Sequence, residues 1–198
     1  MRTFLAILLV TVITGVILNI AVDNPRFDNI YEEIDHAIKT DSRNLAEKLF
    51  LKELPNRTHD LDFNYRYVVN HFEISEKTRI RKNTYSYRDD TSISNYYTQL
   101  STSTDSVERD LGFYCLGLCN YSKGDYIEAT ESFKLVKNRN LKYLNNSIGN
   151  VFKTWNEGKA IPYYEKEIVL NGNVSGAVSN LSGIFIKRRD LARFEVLM

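Results

Sequence analysis

Three histidines, His36, His59 and His71, and two cysteines, Cys115 and Cys119, are the residues of this chain best suited to metal, acid–base or nucleophilic chemistry. Their spacing argues against all three. The histidines are scattered, with no further ligand at the short intervals a metal site needs. Cys115 and Cys119 stand four residues apart, one helical turn, where a disulfide is geometrically awkward and two small apolar residues on a helix face are the plainer reading. The acids of YEEID, residues 31–35, offer paired carboxylates, but consecutive acids near a helix start form a solvated face favoured by the helix dipole. A Gly-rich phosphate loop, G-x-S-x-G and H-E-x-x-H are all missing. The chain is expected to bind rather than to catalyse, with no cofactor and no metal. One further run, EKTRIRKNTYSYR at residues 76–88, interleaves Lys77, Arg79, Arg81, Lys82 and Arg88 with Tyr85 and Tyr87. Such a run suits anionic headgroups, nucleic acid or an acidic partner, and equally a solvated loop.

The elements that must position any binding surface are helices. Only three prolines and nine glycines in 198 residues argue against a sandwich and for helices. With 43% hydrophobic and 26% charged residues the chain has the composition of a folded domain. A formal net charge of +1 removes any global electrostatic case for nucleic acid, which is not expected as a partner.

Residues 4–22, FLAILLVTVITGVILNIAV, carry no charge and span about 28 Å as a helix, close to the hydrocarbon thickness of a bilayer. The length favours a membrane anchor. A cleaved signal peptide and a buried soluble helix are the competing readings; the best cleavage site, Asn19-Ile20-Ala21, is poor. Arg2 precedes the span and acid-rich DNPRFDNIYEE follows it. The positive-inside bias therefore places the N-terminus in the cytoplasm and the remainder on the extracytoplasmic side.

Beyond the span, helical periodicity is nearly continuous. Phe27, Ile30, Ile34, Ala37 and Ile38 share one face. A second helix follows at once with Leu45, Leu49 and Leu54, and stops at Pro55. A helix over residues 61–74 comes next, then an irregular basic stretch over 75–90, and a further helix from Thr91. Residues 101–105, STSTD, read as a turn with several candidate caps.

From there one pattern recurs. FYCLGLCNY supplies Phe113, Leu116, Gly117 and Tyr121, and GDYIEATESF supplies a turn, Ala129 and Phe133. Ile148, Gly149 and Phe152 begin a second copy that continues with Ala160 and Tyr164. Leu181, Ser182 and Phe185 begin a third, with Ala192 and Val196. The small residue and the alanine let two helices approach, and the aromatic fills the space between hairpins. This pattern resembles the tetratricopeptide repeat family over roughly residues 105–198, and more weakly over 27–54, where Ala46 and Phe50 repeat the A-x3-F step. Three departures stand out. Trp155 falls in a turn rather than at the first signature position. The interval from Gly149 to Ala160 is one residue shorter than that from Gly117 to Ala129, which predicts a tighter turn. Pro162 sits early in its helix, where it delays or bends the start.

The resemblance implies an all-α solenoid of antiparallel hairpins, which the apolar span precedes as an expected transmembrane helix. Its divisions are an anchor at 1–22, divergent hairpins at 23–104 and repeats at 105–198. It also implies that ligands lie against the first helix of each hairpin. Carried over, the exposed inner positions are Tyr114, Leu118, Tyr121 and Ser122, then Tyr143, Asn146, Asn150 and Lys153, then Ser179, Gly183 and Lys187. Asn146 and Asn150 resemble the asparagines with which such grooves hold a peptide backbone, an amide being both donor and acceptor. The expected function is a membrane-anchored scaffold for a partner protein or peptide. The alternative is the regulatory or sensory front end of a larger membrane protein, an enzyme included. Five Asn-x-Ser/Thr triplets, at Asn56, Asn120, Asn145, Asn173 and Asn180, matter only in a secretory pathway, and three of them fall inside expected helices.

Overall fold

The computed structural model describes residues 29–82, 91–172 and 176–197, and among them every regular element is helical. The span expected over residues 4–22 lies outside the described residues. Among the described residues no helix is long and apolar enough to cross a membrane. The chain divides between Lys52 and Glu53 into two compact units, and the helices on both sides of residue 104 belong to the second.

The first unit holds α1, Ile30–Lys39, and most of α2, Arg43–Glu53. Asn29 starts α1 by accepting the Glu32 backbone N–H at 3.1 Å, with Glu32 and Glu33 in the first turn, where the helix dipole favours acids. Ile34 and Ala37 are its buried face. On α2, Ala46 and Phe50 are both buried, as the A-x3-F step requires.

In the second unit, α3 runs from Leu61 to Lys82 and α4 from Thr91 to Ser101. The helix therefore continues through residues 75–82, where an irregular stretch was expected. Glu76, Lys77, Arg79, Arg81 and Lys82 are good helix formers and no glycine or proline interrupts them, so propensity carries the helix without an apolar stripe. The rest of that basic run, residues 83–90, lies outside the described residues.

Three helix pairs follow: α5, Ser106–Lys123, with α6, Tyr126–Leu135; α7, Leu144–Lys153, with α8, Glu157–Asn171; and α9, Ala177–Arg188, with α10, Leu191–Leu197. Asp105, the last residue of the predicted turn, caps α5 by accepting from Val107 and Glu108 N–H at 2.7 and 3.0 Å. Gly124 ends α5 at φ 88°, a left-handed conformation that costs glycine nothing. Neighbouring helices pack in chain order: α4 on α5, α5 on α6, α6 on α7, α7 on α8, α8 on α9 and α9 on α10.

The small-residue positions do what close approach demands. A Cβ on Gly117 would meet Phe133 Cδ1 at 2.5 Å, and one on Gly149 would meet Tyr164 Cε1 at 2.6 Å. Ala129 and Ala160, four residues before those aromatics, are fully buried. Gly112 approaches backbone instead of a ring: a Cβ there would meet Ser101 N and lie 2.7 Å from Ser101 Cα. α4 uses a related step, with Ile93 and Tyr97 buried and the Tyr97 hydroxyl donating to Asn64 Oδ1 on α3 at 3.0 Å.

Two local expectations are corrected. The α7–α8 turn is not tighter than the α5–α6 turn: residues 154–156 separate the former pair, only 124 and 125 the latter. The missing residue is taken from the end of α7, which stops four residues after Gly149, whereas α5 continues six beyond Gly117. Pro162 does not delay α8, because Asn156 starts the helix before it, accepting the Lys159 N–H at 3.2 Å. In the last pair the pattern is present in sequence but uncovered: Ala192 is exposed, Val196 is 89% exposed, and α10 has no buried residue.

Candidate functional site

The first helices of the second and third pairs carry a connected set of side-chain amides. On α7, Asn146, Asn150 and Lys153 advance by four and three residues and so lie along one face. Asn180 on α9 reaches across to them. Its Nδ2 donates to Asn146 Oδ1 and to Asn150 Oδ1, each at 3.1 Å, and its Oδ1 accepts from Lys153 Nζ at 3.1 Å. The Tyr164 hydroxyl on α8 donates to Asn150 Oδ1 at 2.8 Å, and burial raises its pKa well above the ordinary phenol value. Lys187, the penultimate residue of α9, pairs with Glu157 at 2.6 Å, and that hydrogen bond holds the Glu157 carboxyl below its usual range.

The start of α7 is fixed by a carboxylate with no exposed surface. Glu167 accepts backbone N–H bonds from Tyr143 at 2.8 Å, Asn145 at 3.1 Å and Asn146 at 3.3 Å, and one from Asn171 Nδ2 at 3.0 Å. Free helix-start N–H groups need such an acceptor, and one charge serving four donors makes its burial tolerable. The arrangement also fixes Tyr143 at φ 71°, ψ −15°, left-handed for a bulky residue. Asp110 does the same for the loop before α7, accepting from Lys137 and Asn138 N–H at 2.9 and 2.7 Å.

The expected inner positions divide. Lys153 and Lys187 are exposed, as are Ser122, Ser179 and Gly183; Asn150, Tyr121 and Tyr143 are partly buried. Tyr114, Leu118 and Asn146 were expected to be exposed and are not. Tyr114 has no exposed surface, donating to or accepting from Ser147 Oγ at 3.1 Å, and burial pushes its pKa well up. Leu118 and Asn146 are also buried. The α5–α7 packing and the α3–α5 packing use the positions that an open groove would leave bare. The structure therefore joins Asn146, Asn150 and Lys153 into one set, leaves Tyr114 and Leu118 as packing residues, and places Tyr121 beside Tyr126 and Trp155 instead, ring centroids 5.8 and 5.9 Å apart along that series.

Asn180, Tyr164 and Glu167 were not among the expected binding residues: Tyr164 stood out only as the repeat's aromatic and Asn180 only as a glycosylation triplet. Asn180 lies thirty residues after Asn150, close to the repeat interval, and that recurrence of asparagine was the available signal. Glu167 had none, since an acid near a helix C-terminus ordinarily reads as solvated surface.

Cys115 and Cys119 are buried free thiols, and burial raises the Cys115 pKa well above the usual thiol value. Among the described residues no group of three His, Cys, Asp or Glu side chains is placed to hold a metal. Of the Asn-x-Ser/Thr triplets, Asn145 is buried, Asn120 and Asn180 lie within helices, Asn173 is outside the described residues, and Asn56 is exposed at the end of the short 3-10 turn Leu54–Asn56.

No family model, no curated protein and no solved structure matches this chain.

Proposed function

We propose that residues 105–198 form a tetratricopeptide-like stack that holds a partner protein or peptide against its first helices, beside a membrane reached through residues 4–22. The observation that carries this reading is the amide set on α7 and α9. Asn180 ties Asn146 and Asn150 together and takes a lysine in turn, which fixes the oxygens inward. Neither Asn146 Nδ2 nor Asn150 Nδ2 donates to another described residue. The partly buried Asn150 amide donor, one turn before exposed Lys153, is matched to a peptide carbonyl, and Lys153 to a partner's acidic group. The ordering is in place before a partner arrives, which lowers the entropic cost of binding.

Crosslinking in native membranes, followed by identification of the captured chain, tests the reading. The variant Asn150→Ala/Lys153→Ala is expected to capture less while its helical content stays the same. Undiminished capture would remove the amide set from the interaction. A second reading, the regulatory or sensory region of a larger membrane protein, is favoured by the uncovered Ala192 and Val196 face, which has the residue pattern that other pairs bury.

A further inference from the structure

The turn inside the second helix pair and the turn inside the third lie side by side. Lys187 Nζ, near the end of α9, donates to Glu157 at the start of α8 at 2.6 Å, and a Cβ on Gly158 would lie 3.5 Å from Arg188 Nη2. Trp155, in the α7–α8 turn, is braced from behind. Its ring meets Tyr126 edge-on at a centroid distance of 5.9 Å and Phe152 at 6.0 Å.

This edge leaves large apolar side chains in water. Trp155 is 51% exposed, Ile186 in the last turn of α9 is 56% exposed, and Leu191 at the start of α10 is 61% exposed. Among the described phenylalanine, tyrosine and tryptophan residues, Trp155 alone is exposed; the others are buried or half-buried. Its indole N–H donates to no described residue. Single exposed apolar residues are ordinary, but three on adjoining turns mark a contact surface.

The charges beside them give the surface its chemistry. Lys159, Arg188 and Arg189 are exposed and form no ion pair with a described residue. Of the acids on these two turns, Glu157 is already paired with Lys187, and half-buried Asp190 accepts the Arg193 backbone N–H at 3.2 Å. The cations therefore outnumber the acids left to answer them. An indole with an apolar ring and an unengaged N–H suits a boundary that is apolar on one side and wet on the other. Aliphatic neighbours add buried area there, and unpaired cations meet lipid phosphates.

We propose that the edge made by the second and third intra-pair turns rests on an anionic lipid surface. Trp155, Ile186 and Leu191 enter the headgroup boundary, and Lys159, Arg188 and Arg189 face its phosphates. This inference rests on the membrane proposed above to be reached through residues 4–22, and adds how the helix pairs meet it. It uses no residue of the amide set.

The chain has a single tryptophan, so the fluorescence of the full chain reports on Trp155. The chain is reconstituted with vesicles of phosphatidylcholine, and of phosphatidylcholine mixed with phosphatidylglycerol, each with and without brominated acyl chains. In the anionic vesicles the emission is expected to shift to the blue and to be quenched by bromine; in the zwitterionic vesicles both effects shrink. Lys159→Gln/Arg188→Gln should lower the docking equilibrium about thirtyfold, the worth of two cations at a lipid surface, with helical circular dichroism unchanged. Unshifted, unquenched emission in anionic vesicles overturns the proposal, and so does equal quenching in both lipids. A blue shift without lipid that grows with protein concentration gives the edge to a second copy of the chain and overturns it too. Flotation of the same vesicles reads residues 4–22 separately. A chain that floats with Trp155 unquenched keeps the anchor and loses this contact. A chain left behind by phosphatidylcholine but quenched on anionic vesicles keeps this contact and loses the anchor.

Discussion

Replacing Gly149 by alanine adds one methyl group at the closest approach of α7 and α8, and the structure sets the sign of the outcome. The new Cβ would lie 2.6 Å from Tyr164 Cε1 and 2.8 Å from Cδ1. Tyr164 is fully buried and its hydroxyl is tied to Asn150, so the ring has little freedom to withdraw. Overpacking of this kind costs about 1–3 kcal/mol. The opposing term is helix propensity, which favours alanine over glycine by about 1 kcal/mol. The net expectation is a loss of up to about 2 kcal/mol, a fall in Tm of roughly 4–8 °C for a chain of this size. Gly183 is the internal control. It lies within α9 with nothing inside 4 Å of its would-be Cβ, so Gly183→Ala retains only the propensity gain and should stabilise by about 0.5–1 kcal/mol. Urea and thermal melts followed by helical circular dichroism measure both variants. Combining Gly149→Ala with Tyr164→Leu should cost less than the sum of the two single changes, because they share one contact. If Gly149→Ala stabilises as much as Gly183→Ala, the close approach has been misjudged and the pairing of α7 with α8 has to be abandoned.

Gly112→Ala is expected to be the most damaging of the glycine changes, because its Cβ would strike the backbone of Ser101 and Leu100 rather than a ring that can tilt; the same melts rank it against Gly149→Ala. Glu167→Ala removes the acceptor of four donors at the start of α7 and should cost about 3 kcal/mol or more, with hydrogen exchange rising first at residues 143–146. Burial raises the pKa values of Cys115, Tyr97 and Tyr114 in the folded chain, so the unfolded chain loses those protons first. Their contribution is complete below the ordinary thiol and phenol values, about 8.5 and 10, and is lost as pH rises beyond them. Melts at alkaline pH should therefore show falling stability, and Cys115 should resist thiol reagents until the chain unfolds.

The elements that could be read from sequence are those where geometry leaves few choices of residue. Gly117 and Gly149 had to be small because Phe133 and Tyr164 occupy the space, and Ala129 and Ala160 had to be small one turn earlier. That regularity exposed the helix pairs and their order. The repeat step was not legible in α4, because Ile93 stands where the alanine would be, although Tyr97 is buried in the manner of Phe133 and Tyr164. Residues 75–82 read as irregular because charge density hides a helix that has no apolar stripe. Tyr114 and Leu118 were placed on an open surface by analogy between repeats; the α3–α5 and α5–α7 contacts, set by residues distant in sequence, bury them. Asn146 and Asn150 stood out by type, but Asn180, which links them, and Asp62, which reaches past a whole helix pair, depend on tertiary placement that no local spacing announces.

Site-specific photocrosslinking in native membranes tests the central claim most directly. A photoreactive residue is placed at Lys153 or Lys187, on the proposed surface, and at Glu131 or Lys166, exposed positions on second helices. The account predicts one partner chain captured from Lys153 and Lys187 and none from Glu131 or Lys166. Capture from the second helices alone, or equally from all four positions, would contradict it.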